Sequence, residues 1–100
     1  SSLKFKVAIV DDDDAQLSAS QIQNLENSGK HVFSYLSVGE AESYRDYWQA
    51  GWDSNPPSFL LRENPDWPGN YNVKFWDPNW QNIIIGRAVE LAKEGYGGIC

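Results

Sequence analysis

A chain of 100 residues holds one domain at most. Its formal charge of −6, from eight Lys and Arg against fourteen Asp and Glu, argues against nucleic acid or an anionic membrane surface as a partner. No apolar run approaches the roughly 20 residues that span a bilayer, and no signal-peptide pattern opens the chain. There is no Met, so the translation start is expected to lie outside the sequence, and the one Cys, Cys100, cannot close an intrachain disulfide.

Residues 5–10, FKVAIV, read as a buried strand ended by Asp11 to Asp14. Leu17 to Gly29 predicts a helix. Ser18 is its N-cap, Gln21 completes a capping box, Leu17 and Ile22 stand at the positions of a hydrophobic staple, and Gly29 terminates it. A second strand follows at 31–38, and the aromatic-rich stretch 44–51 predicts a second helix. Three Pro-centred turns come next: Asn55-Pro56-Pro57, Asn64-Pro65 and Trp67-Pro68-Gly69. Between them, Phe59 to Leu61 fits one helical turn or a short strand. A third strand is expected at 72–76. The third helix has Asp77 as N-cap and Pro78 at its first position, Ile84, Ala88 and Leu91 at helical spacing, and Gly95 at its close. Gly97 to Cys100 opens a fourth strand. The order β-α-β-α-β-α-β predicts a parallel α/β sheet, either open and doubly wound or part of a (β/α)8 barrel.

The richest stretch is Val32 to Trp48. An apolar run leads into Gly39, then Glu40 and Glu42, then Tyr44, Arg45, Tyr47 and Trp48. Parallel sheets present their sites where strands end. Carboxylates beside aromatic rings are what a sugar cleft needs: acids bond hydroxyl or amino groups, and rings stack on the apolar faces of the sugar. The acidic balance suits a cationic partner such as an amino sugar.

The motifs carry a family. SYLSVGEAESYRDYW, ENPDWPGNY, KFWDPNWQ and the terminal GYGGI resemble, in this order and over nearly the whole chain, the endo-α-1,4-polygalactosaminidase family of glycoside hydrolases. GEAESYR and FWDPNWQ are its specific motifs. The resemblance implies a (β/α)8 TIM barrel that cleaves galactosamine-containing polysaccharide, usually outside the cell. It also implies a partial barrel here, the amino-terminal half, with about three βα units and the start of a fourth strand. In the family that strand continues past the position of Cys100 into an Asp-bearing segment. This chain alone is therefore expected to lack the complete catalytic pair.

Glycoside hydrolysis usually uses two carboxyl groups flanking the scissile bond. Glu40, directly after Gly39, is the leading site carboxylate, as substrate hydrogen-bonder or proton donor; the bland alternative is a loop-fixing pair with Arg45. Asp11, Tyr35, Glu42, Tyr44, Arg45, Trp76 and Asp77 are expected to bind substrate. Structural roles compete with several of these. Glu42 can cap the next helix, Asp77 can serve only as an N-cap, and Asp12 to Asp14 suit a solvated turn. Trp48, Trp52 and Trp80 are expected to pack helices on the barrel wall, and the long Pro-rich connection carrying Trp67 and Tyr71 is expected to form a wall or lid. No cofactor or metal is expected: His31 has no Cys or His partner, and the run of Asp lacks the spacing of a calcium loop. The expected partners are an amino-sugar polymer, and the missing half of the barrel or a second copy of the chain. A non-catalytic sugar-binding or half-barrel assembly module is the alternative function.

Overall fold

The computed structural model describes residues 6–99. The elements in chain order are β1 (Lys6–Val10), α1 (Asp12–Ala15), α2 (Ala19–Asn27), β2 (Lys30–Ser34), β3 (Glu40–Glu42), β4 (Leu60–Glu63), β5 (Asn70–Val73), α3 (Pro78–Lys93) and β6 (Gly98–Ile99). They fall into two compact units, one formed by the chain up to Leu36 together with Gly86 onward, the other by Ser37–Ile85.

The first unit holds a parallel sheet in the order β1-β2-β6. β1 and β2 pair from Lys6 against Lys30 to Val10 against Ser34, and Phe33 and Ser34 of β2 pair with Gly98 and Ile99. The capping box forms as the sequence predicts. The Gln21 N–H donates to the Ser18 hydroxyl at 3.1 Å, and the Ser18 N–H donates to Gln21 Oε1 at 2.8 Å. That cap seats α2 so that Ile22 enters a core with Val32, Leu91 and Tyr96, against which Val10, Leu17 and Leu25 pack. Strand side chains alternate between faces, so the sheet face opposite this core carries Ile9 and Phe33. Ile9 is 56% exposed there. The expected fourth strand is present as β6. Cys100 and Phe5 lie outside the described residues.

Asp12 and Asp13 do not form a solvated turn. They begin α1. The buried Arg87 approaches both, with Nη2 at 3.0 Å from Asp13 Oδ1 and 3.8 Å from Asp12 Oδ2, and the Tyr96 hydroxyl donates to Asp12 Oδ1. A cation with little access to water needs such partners, and they draw these acids inward. Burial, then the bond to Asp12, pushes the Tyr96 hydroxyl up. Burial and the same Asp12 push the Glu94 carboxyl up to about 6.

The second unit departs from the expected βα alternation. Its sheet is antiparallel, in the order β3-β5-β4. Glu40, Ala41 and Glu42 face Asn72, Tyr71 and Asn70, and Leu60 faces Val73. The strand expected at 72–76 is thus β5, ending at Val73, and it belongs to this sheet rather than to the parallel one. Phe59 to Leu61 resolves into the start of β4. The helix expected at 44–51 is absent: i→i+3 bonds from Arg45 to Glu42 and from Trp48 to Arg45 make successive turns. A helix would spread its aromatic rings around the axis, whereas these turns fit them to different neighbours. The rings form a connected series, Tyr71–Trp48–Trp52–Phe59–Trp80–Tyr47, with centroids 4.8–5.7 Å apart. Edge-to-face and tilted contacts of this kind add to the apolar area that each ring buries. Trp80 is fully buried and its indole N–H donates to the Val38 carbonyl at 2.8 Å.

Candidate functional site

Most of the residues singled out in the sequence lie in the second unit, on one face of its sheet and in the turns beside it. Glu40 and Glu42 are two apart on β3, so both project from the same face, opposite Ala41. Register puts Asn72 and Asn70 across from them on that face. The other face, through Ala41, Tyr71 and Val73, turns to the aromatic series.

Glu40 is half-buried and sits in an amide bracket. Its Oε1 accepts from Asn70 Nδ2 at 3.2 Å and its Oε2 from Asn64 Nδ2 at 3.0 Å. The expected alternative of a pair with Arg45 does not form around these oxygens. Arg45 turns to Glu42, with Nε 3.0 Å from Oε1. The Tyr44 hydroxyl donates to Glu42 Oε2 at 2.6 Å, and the Glu42 N–H donates to the Tyr47 hydroxyl at 2.9 Å. The Arg45 guanidinium also lies over the Tyr44 ring, 4.6 Å from its centroid. Glu42 is only 3% exposed and both its oxygens are engaged. These bonds make it part of the frame of the turn, and no helix follows for it to cap. Arg45 holds an internal carboxylate, that of Glu42.

Asp77 caps α3, accepting the Asn79 N–H on Oδ1 at 2.8 Å. Trp76 lies in the turn before that helix rather than at a strand end, 60% exposed and edge-on to Phe75. In the first unit, Asp11 caps α1 by accepting the Asp13 N–H at 3.1 Å. Tyr35 follows β2 and is tied to the end of β1 by its backbone N–H to the Val10 carbonyl. Among the described residues, no group of three His, Cys, Asp or Glu side chains is arranged to hold a metal ion, and no helix is long and apolar enough to cross a membrane.

Residues the sequence reading did not single out complete the site. Asn64 and Asn70 hold Glu40, and they are also the ends of the turn between β4 and β5, joined by the Asn64 N–H to the Asn70 carbonyl at 2.7 Å. The Asn-Pro and Pro-Gly-Asn pairs signal the turn, but nothing in the sequence signals that both amides reach back 24 and 30 residues to one acid. Beside them, burial raises the Tyr71 hydroxyl above its ordinary value, with the charges of Glu63 and Asp53 adding to it.

Residues 1–100 match the glycoside-hydrolase family GH114. The chain belongs to that family. Its relatives include uncharacterized proteins of Deinococcus radiodurans, 41% identical over 98 residues, and of Methanocaldococcus jannaschii, 40% identical over 87. These matches cover 95% and 87% of the chain but 32% and 25% of the relatives, so this GH114 chain spans about a third or less of their length. Among solved structures, it resembles the glycoside hydrolase domain of PelA from Pseudomonas aeruginosa, with a TM-score of 0.73 and 28% identity over 96% of the chain and 36% of that domain's chain. It shares its fold with Aspergillus fumigatus Ega3, solved in complex with galactosamine, with a TM-score of 0.68 and 22% identity over 97% of the chain and 42% of Ega3. The mixed α/β fold is thus that of GH114 TIM-barrel domains.

Proposed function

We propose that the chain is the amino-terminal part of a (β/α)8 glycoside hydrolase that cleaves α-1,4-linked galactosamine polymers outside the cell. The observation that carries this reading is the GH114 match over residues 1–100. The galactosamine bound to Ega3 supports the substrate class. The negative charge of the chain favours a polymer whose amino groups are protonated. The partial-barrel reading draws support from the first unit. Parallel strands are ordinarily covered on both faces, and Ile9 is open on the face opposite the core.

Within this reading the chain supplies a substrate-binding wall. Glu42 and Arg45 hold its shape, Trp76 and Tyr44 offer ring faces, and Glu40 is its carboxylate at the boundary with solvent. Two oxygens engaged by Asn64 and Asn70 fit a carboxylate that holds the wall in place better than one that donates a proton to substrate. The proton donor is then an Asp from the segment that follows β6 in the family, and the second carboxyl group comes from another strand end. The two would stand about 5–5.5 Å apart in a retaining enzyme or about 6.5–9.5 Å in an inverting one. The test is incubation of the full-length protein, complete barrel included, with polygalactosamine, its fully N-acetylated form and a neutral glucan. New reducing ends are expected from the first. A folded protein that cleaves only the glucan, or none of the three, overturns the proposal.

A further inference from the structure

Trp67 is the most exposed large apolar side chain among the described residues, at 67%. A single exposed ring is ordinary on a protein surface; the construction beneath this one is not. Trp67 is shared by two consecutive Pro turns. In the first, Asn64-Pro65-Asp66-Trp67, the Trp67 N–H donates to the Asn64 carbonyl at 3.3 Å. In the second, Trp67-Pro68-Gly69-Asn70, the Asn70 N–H donates to the Trp67 carbonyl at 3.0 Å. Gly69 has φ +92°, as the third position of a type II turn requires. Pro68 restricts the Trp67 backbone as well as its own.

Side chains then fix the turn from below. The Asp66 N–H donates to Asn64 Oδ1 at 2.9 Å and the Gly69 N–H to Glu63 Oε2 at 2.7 Å. The Gly69 carbonyl accepts the Ser43 N–H at 2.8 Å. Asn64 and Asn70, the two ends of the turn, both donate to Glu40. A partly buried carboxylate on β3 thereby ties down both ends of the segment that presents Trp67. Asp66 and Glu63, both exposed, place negative charge on the same tip.

We infer that the 64–70 turn is a built glycan subsite, in which the Trp67 ring stacks on the apolar face of a sugar and the acids of the tip favour a protonated amino sugar. Glu40 is its positioning residue. The inference rests on the proposed function for its ligand class, but its geometry is independent of that reading. A ring carried on a backbone fixed in advance gives up less conformational freedom on binding, and an aromatic face within reach of a cation attracts it as well.

The test measures affinity by calorimetry, and KM and kcat by reducing-end release, for α-1,4-galactosamine oligosaccharides with the whole protein. W67A is expected to weaken binding about tenfold, equivalent to about 1.4 kcal/mol, with the loss falling on KM and the melting temperature kept. W67F retains an aromatic face and is expected to recover most of the affinity. E40A is expected to weaken binding in the same direction, and W67A/E40A to be no weaker than W67A, because both act through one turn. Should E40A fail to fold, E40Q, which keeps one carbonyl oxygen for an amide, takes its place. Unchanged affinity in W67A overturns the inference. So does a large fall in its melting temperature, which makes the ring a packing group. A loss confined to kcat in E40Q overturns the positioning role and assigns Glu40 to the reacting atoms. If the wild-type protein binds no galactosamine oligomer, the functional reading fails and the subsite with it; if it binds and W67A binds equally, only the subsite fails.

Discussion

Arg45→Ala tests the physics that holds the polar face of the second unit. Glu42 is 3% exposed and Arg45 7%, and their ion pair closes at 3.0 Å. Removing one partner of a buried pair leaves the other charged and poorly solvated, which costs about 3–5 kcal/mol. The Tyr44 hydroxyl still donates to Glu42 after the substitution. A hydrogen bond to a charged group contributes about 1.5–3 kcal/mol, so the cost belongs at the lower end, about 3 kcal/mol. That is a large part of the roughly 5–15 kcal/mol that holds a domain folded. Urea unfolding followed by fluorescence of the tryptophans measures it as a lower midpoint at constant slope. E42Q/R45M, which removes both charges, is expected to be clearly more stable than R45A. The reasoning is refuted if R45A costs less than about 1 kcal/mol, the level of a surface pair, or if the double variant is no better than the single one.

Gly69→Ala combines a left-handed backbone at φ +92° with a Cβ placed 3.1 Å from Ser43 Oγ. It is expected to destabilise by about 1–3 kcal/mol and to loosen the tip that carries Trp67, read as faster proteolysis between β4 and β5. The Glu94 carboxyl, raised to about 6, binds protons more readily when folded than when unfolded. Its contribution to stability is therefore greatest at low pH and falls as pH rises from the ordinary carboxyl range through about 6. E94Q is expected to remove that fall, and parallel pH–stability curves for the two proteins would contradict the assignment. Ser18→Ala removes the hydroxyl that accepts the Gln21 N–H and leaves the backbone half of the capping box in place; it is expected to cost about 1 kcal/mol, read as earlier amide exchange in α2.

The local signals in the sequence were legible where one short segment decides its own structure. Ser18 and Gln21 fix the start of α2, Asp77 and Pro78 that of α3, and the β-branched residues of Lys6–Val10 suit a strand. The stretch 44–51 was misread because aromatic residues suit helices and turns alike; the choice lies with Trp80, Phe59 and Tyr71, which are distant in sequence. The antiparallel sheet escaped notice for a related reason. Its strands are three or four residues long, too short for alternation to show. Of the site, the acids and rings were visible as residue types, but their partners were not. Glu42 and Glu40 look equivalent in GEAE, and only the fold gives one an arginine and a tyrosine and the other two asparagines.

The most direct test of the account is the length distribution of products released from polygalactosamine, followed over time by mass spectrometry. An endo-acting hydrolase of this family is expected to yield a ladder of intermediate oligomers before short ones accumulate. A folded full-length protein that binds the polymer and releases nothing contradicts the central claim.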